Sequence, residues 1–281
     1  MENFVFLAIL FAAACHAGWN ALIKVGLEPL TVATLISVGS GVAVLAFLPV
    51  VGLPAPAAWP WLLGSVAINL VYLAALSESY RTGDLGQIYP IARGAAPPMT
   101  ALAATLLVGE HLGPIGWSGI AALVVGVFLL SARGAREMAR IDRSAVGFAL
   151  FTAVSISAYS VVDGIGARLS GSPNAYSLCL FVGVAMVMLP YALSRRGWEI
   201  VPVMRIYWRR GLVGGALQLV SYSIAVWAMT KAPIAVVAAL RETSVLFGAV
   251  IAVVVLKEPL RAARIAAALL IVCGLALLRL K

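Results

Sequence analysis

Ten stretches of roughly twenty predominantly apolar residues, set apart by short polar breaks, constrain this chain more than any other feature. A helix rising 1.5 Å per residue needs about that length to cross a hydrocarbon core about 30 Å thick. The windows lie near 4–23, 30–51, 59–79, 85–108 and 113–132, and again near 144–167, 173–193, 210–230, 233–256 and 262–280. They fill most of the 281 residues, so the loops are short and no room remains for a soluble domain. The expected fold class is an all-α membrane protein with ten transmembrane helices. Only 11% of the residues are charged, against about a quarter in a soluble domain, and mean hydropathy is +1.03.

A net charge of +9 would suggest nucleic acid in a soluble protein, but here the basic residues stand between apolar windows and read as topology signals. Segments after odd-numbered windows carry fourteen Lys and Arg, and the opposite side carries four. Positive charge stays on the cytoplasmic side, which predicts both termini outside the cytoplasm. A basic stretch from Arg195 to Arg210 reads as the loop between the seventh and eighth spans. Ala12-Ala13-Ala14-Cys15 faintly resembles a lipoprotein cleavage box, yet Met1-Glu2-Asn3 lacks a basic leader region and the apolar run continues to Ile23, so no cleavage is expected. Cys15, Cys179 and Cys273 lie inside apolar runs with no CxxC or Cys/His spacing, which predicts neither disulfide framework nor metal site.

The chain repeats itself. A shift of 148 residues brings Thr82 onto Thr230, Arg93 onto Arg241, Glu110 onto Glu258 and Gly126 onto Gly274. Apolar matches are cheap in so hydrophobic a chain, so the Arg and Glu pairs are the informative ones. The reading is a first five-helix repeat at 1–132, a basic cytoplasmic linker at 133–143 and a second repeat at 144–281. An odd number of spans per repeat makes the second copy enter the membrane from the opposite face. Two inverted repeats related by an axis in the membrane plane are the layout of many secondary transporters, with a substrate site near the midplane between them.

The five-plus-five layout, His16-Ala-Gly-Trp19-Asn20 in span one, and the Glu110 and Glu258 turns before each Gly-bearing last span resemble the drug/metabolite transporter superfamily, EamA type. That resemblance implies a transporter of small metabolites and, in several members, an exporter of amino acids, aromatic ones included. It also implies a multi-pass protein of a bacterial-type inner membrane. Exporters of cationic drugs in the same superfamily use a membrane-embedded Glu in their first helix, whereas this first span has no acid between Asn3 and Lys24. Carboxylate-bearing metabolites are therefore favoured over cationic drugs, with sugars or nucleotide-type metabolites and a non-transporting sensor as alternatives.

Arg93 and Arg241 each fall about nine residues into their spans, roughly 13 Å deep. An arginine at that depth is costly unless paired or facing water, and is by default a functional candidate. One reading is a guanidinium fork for a substrate carboxylate. The other is an ion pair, with Glu242, Glu78 or Asp163 as partner.

Around these arginines, span four adds Gln87 and Tyr89, and a stripe of Gly86, Pro90, Arg93, Pro97 and Thr100 at helical spacing, with Pro90, Pro97 and Pro98 expected to bend the helix as a hinge. Span three offers Asn69, Tyr72 and Tyr80, and span eight Gln218 and Tyr222, as amide and aromatic cavity lining. In span one, His16, Trp19 and Asn20 share a face; His16 titrates near neutral pH when unperturbed and is a candidate coupling group, as is Glu78. Tyr159 and Asp163 in span six stand as partial counterparts of Trp19 and its neighbours. Glu110 and Glu258 are expected to cap the helices that follow them.

The chain shows no HExxH, no GxSxG and no phosphate-binding loop, and His16 and His111 are its only histidines. Enzymatic activity, metals and cofactors are not expected. The expected partners are a small-molecule substrate and the lipid bilayer, not nucleic acid, and the expected state is a monomer.

Overall fold

A computed structural model describes residues 1–22, 27–82, 85–131, 143–254, 257 and 262–280; at 22, 76–82, 85–90, 131, 143–145 and 252 it describes the backbone alone. The described residues are helical and contain no strand. The first repeat supplies α1 (Asn3–Leu22), α2 (Pro29–Leu45), α3 (Trp59–Thr82), α4 (Leu85–Ala103, prolonged by a wider turn over Ala104–Val108) and α5 (Pro114–Ser131). The second supplies α6 (Arg143–Leu169), α7 (Pro173–Arg196), α8 (Ile200–Met229), α9 (Ile234–Arg241), α10 (Ser244–Val254) and α11 (Ala262–Arg279).

Seven segments have the length and hydropathy to cross a membrane, and one of them, Pro173–Met229, holds both α7 and α8. Two shorter apolar helices, Pro29–Leu45 and Pro114–Leu130, complete the ten spans among the described residues. α9 and α10 together form the ninth. The chain is a multi-pass membrane protein built from two five-helix repeats.

The packing is symmetric under exchange of the repeats. α1 lies on α8 as α6 lies on α3; α4 lies on α6 as α9 and α10 lie on α1; α2 meets α7, and α5 meets α11. With no hydrophobic driving force between helices in lipid, such contacts rely on small residues and interhelical hydrogen bonds. At the α2–α8 seam a Cβ on Gly39 would run into the Gly211 carbonyl, so only glycine permits this approach. Beside it the Ser40 hydroxyl contacts the Gly215 carbonyl at 3.0 Å. Ser221 on α8 donates to the Ala12 carbonyl of α1 at 2.7 Å. α1 buries Val5, Ile9, Ala12 and Ala13 and leaves Phe4, Leu7 and Phe11 facing outward, an apolar outer face suited to lipid.

Three boundaries differ from the sequence expectation. Span two ends at Leu45, because Pro49 removes a donor and Gly52, at φ 77°, turns the chain away after a single turn at Leu48–Val51. The basic stretch after span seven is helical. Only Gly197–Glu199 separates α7 from α8, so Arg205, Arg209 and Arg210 ride on the first turns of a 30-residue helix. The Arg209 guanidinium lies over the exposed Trp208 ring at 5.5 Å and that of Arg210 over Tyr207 at 5.7 Å. Span nine is interrupted at Glu242 and Thr243, where backbone amides bond three residues back (Glu242 N to Ala239 O, 3.1 Å) and the α-helical ladder lapses.

The 148-residue register is visible in the backbone as well. Gly109 closes the end of span four in the left-handed region at φ 75°, and Lys257, its counterpart in the shift, stands there at φ 54°. The linker at 133–143 and Glu258 fall outside the described residues, apart from Arg143 at the start of α6.

Candidate functional site

Arg93 on α4 and Arg241 on α9 come together in the interior, about eight residues from opposite helix starts and therefore roughly 12 Å deep from opposite faces. They are differently engaged. Arg93 Nη1 donates to Glu242 Oε1 at 3.1 Å and Oε2 at 3.4 Å, and its Nη2 lies 2.6 Å from His16 Nε2. Guanidinium nitrogens only donate, so His16 accepts at Nε2 and its imidazole is neutral in this arrangement. Side-chain exposure is 14% for Arg93 and 6% for Glu242, so this is a buried ion pair joining the two repeats.

Arg241 has no carboxylate within ion-pair distance among the described residues. Its guanidinium carbon lies 4.7 Å from the centroid of the Tyr222 ring, a cation–π contact. The Tyr222 hydroxyl in turn donates to Asp163 Oδ2 on α6, and Tyr176 donates to Oδ1 at 2.9 Å. Ser65 hydrogen-bonds the same carboxylate, and Asn69 donates to the Ser65 hydroxyl at 3.2 Å. Asp163 is fully buried, and these hydroxyls replace the water a carboxylate would lose.

Between these groups is a cavity of about 10 Å³, the space of roughly one water molecule. It is lined by Arg93, Ala96, Pro97 and Thr100 of α4, by Ile156, Tyr159 and Ser160 of α6, and by Ala238, Arg241 and Glu242. The Ser160 hydroxyl is buried and has no hydrogen-bond partner among the described residues. A buried hydroxyl left unsatisfied costs about 1–3 kcal/mol, so an unpaired one on a cavity wall points to something that enters the cavity. Tyr159 carries an edge-to-face chain of rings, 5.7 Å from Tyr72 and 6.1 Å from Tyr222.

The residues singled out in the sequence divide accordingly: Arg93, Arg241 and Pro97 line the cavity, while Tyr222, Tyr72 and Asn69 form its second layer. His16 holds Arg93, and Trp19 packs edge-on to His16 at 5.1 Å with its indole N–H unpartnered among the described residues. Asn20 turns back to the His16 carbonyl of its own helix at 2.8 Å. Gln218 faces the α2–α8 seam, where Ser40 meets its Oε1 at 3.1 Å. Pro98 is half-buried beside Pro97, and α4 runs through both without a break. The side chains of Glu78, Tyr80, Gln87, Tyr89 and Pro90 lie outside the described residues.

Glu110 caps a helix, but not the one that follows it. Its carboxylate accepts from Ile234 N at 3.0 Å and Ala235 N at 3.4 Å, the first amides of α9 in the other repeat, and pairs with Arg168 of α6 at 2.6 Å. The α4–α5 turn places it over that helix start, where an anion is favoured.

Ser160 is a polar cavity residue that sequence reasoning misses, along with the apolar Ala96, Ile156 and Ala238. A shift of 140 aligns Phe11 with Phe151, Trp19 with Tyr159 and Asn20 with Ser160, a register hidden because loop lengths differ between the repeats. Among the described residues no three His, Cys, Asp or Glu side chains gather in a metal-binding arrangement.

The profile of the EamA-like transporter family matches residues 3–132 and again 143–280. A crystal structure of another protein aligns over 99% of this chain and 96% of its own with a TM-score of 0.80 at 18% identity, which establishes a shared fold. No curated protein sequence matches.

Proposed function

The chain belongs to the EamA-like transporter family, and from that premise we propose that it exports amino acids with aromatic or other apolar side chains across a cytoplasmic membrane. The transport cycle is alternating access around the cavity between the repeats. One observation carries the substrate class: Arg241 lines the cavity without a carboxylate partner among the described residues, whereas Arg93 is committed to Glu242 and His16. Arg241 is the anchor for a substrate carboxylate, with the unpaired Ser160 hydroxyl as a second donor. Ala96, Pro97, Ile156 and Ala238 offer apolar walls for the side chain. A 10 Å³ space holds no amino acid, so the described conformation is a closed one and the repeats must part for substrate to enter.

The test is counterflow of radiolabelled L-phenylalanine in proteoliposomes. Arg241→Ala should raise KM by roughly 30-fold or more, as expected when a charge-assisted hydrogen bond of about 2 kcal/mol is lost, with Arg241→Lys intermediate. Wild-type counterflow of a sugar or a cationic dye but of no carboxylate-bearing compound would remove the proposal, and absence of any flux would favour a sensor.

A further inference from the structure

We propose that the outer face of α8 binds an anionic phospholipid, with Arg205 and Arg209 on its headgroup phosphate and Val213 and Val220 along its acyl chain. This surface points away from the cavity, and its occupant does not depend on what the cavity carries. α8 has 30 residues and is about 45 Å long, the thickness of a bilayer with its headgroups. Residues 210–229 suffice for the hydrocarbon core, so the first ten residues of α8 stand at headgroup level. There the helix is two-faced. Ile200, Val201 and Met204 pack with Leu30 of α2 and with Met188 and Ala192 of α7. Ile206, Arg209, Val213 and Val220, spaced by three, four and seven, form an outward stripe that Arg205 borders. Along that stripe Ile206 is 73%, Val213 51% and Val220 41% exposed.

Charge and shape select the occupant. Glu199 is the only acidic residue between Asp163 and Glu242, so the five arginines from Arg195 to Arg210 leave this corner strongly positive. Arg196 is partnered by Glu28, whereas Arg205, Arg209 and Arg210 form no ion pair among the described residues. Arg209 and Arg210 lie over the Trp208 and Tyr207 rings, contacts that position a guanidinium without neutralising it. Arg205 and Arg209, four residues apart, are neighbours on the helix surface and bracket a single phosphate, to which each offers a fork of N–H donors. Val213 stands about 6 Å deeper than Arg209 and Val220 about 16 Å deeper, the direction an acyl chain takes from its phosphate. A soluble anion would satisfy the arginines and leave the apolar stripe uncovered, whereas a phospholipid covers both. A choline headgroup brings its own cation to a surface that is already positive, which favours phosphatidylglycerol.

The experiment uses purified full-length protein in a non-ionic detergent, with lipid binding read by native mass spectrometry and by thermal unfolding. Dioleoyl phosphatidylglycerol should bind roughly tenfold or more tightly than dioleoyl phosphatidylcholine and should raise Tm. Inorganic phosphate and glycerophosphate should not raise it, which separates a lipid from a free phosphate. Arg205→Gln and Arg209→Gln should each weaken phosphatidylglycerol binding by about fivefold, and together they should abolish the preference over phosphatidylcholine. Both side chains are exposed, so these variants should unfold at the wild-type temperature when no lipid is added. Arg195→Gln removes the same charge from the end of α7 and should keep most of the preference, which separates a site from a diffuse positive potential. Equal binding of the two lipids by wild type, or the same Tm shift from free phosphate, would overturn the proposal. So would an unchanged preference in the single glutamine variants, or an equal loss in Arg195→Gln.

Discussion

Two arginines at equivalent positions of a duplicated sequence have acquired different partners, and the difference is one of charge balance. Arg93 is one half of a buried ion pair, and removing one partner of such a pair leaves the other charge uncompensated. Arg93→Ala should therefore lower thermal stability by about 3 kcal/mol, measured by denaturation in detergent. Arg93→Met combined with Glu242→Leu should recover most of that loss. Arg241→Ala removes a cation–π contact and no ion pair among the described residues, and should cost about 1 kcal/mol, so its effect should fall on transport rather than on folding. Asp163 was legible as a candidate ion-pair partner, yet it is solvated by hydroxyls from three other helices, which no local spacing encodes.

At the scale of elements, α9 is an eight-residue helix that ends at Arg241, immediately before Glu242, and is fixed at its start by Glu110. The same carboxylate pairs with Arg168 Nη2, which also donates to the Ala232 carbonyl, while Arg168 Nε donates to the Met229 carbonyl at the α8–α9 corner. Position and direction of α9 are thus set from the first repeat. Glu110→Ala should cost about 2 kcal/mol and speed hydrogen exchange at the Ile234 and Ala235 amides, while leaving the α7 start, capped by Ser172, unchanged. Exchange unchanged at those amides would show that α9 holds its place without the cap. The interruption after α9 had no signal in the sequence, since Arg241-Glu242-Thr243-Ser244 contains neither Gly nor Pro. It exists where two charged side chains and their partners are accommodated between packed helices.

At the scale of the whole molecule, the repeats interlock so that each buries its first, third and fourth spans against the other. That exchange symmetry places an Arg from α4 against a Glu from the ninth span, 149 residues away in the chain. The charge asymmetry of the loops predicts both termini outside the cytoplasm. A reporter fused after Lys281 should accordingly be active outside the cytoplasm and silent within it, and the reverse would overturn the assignment.

The sequence alone determined the ten apolar spans, the odd number per repeat and the depth of both arginines. Each follows from a local quantity: hydropathy over roughly twenty residues, a fixed rise per residue, or a constant shift between repeats. Only the tertiary structure decided that Arg93 pairs with Glu242 while Arg241 meets no carboxylate among the described residues, that Glu110 caps a helix of the other repeat, and that Gln218 packs a helix seam while Ser160 faces the cavity. In lipid a buried polar group must find its partner within the protein, and which partner it meets depends on how distant helices cross.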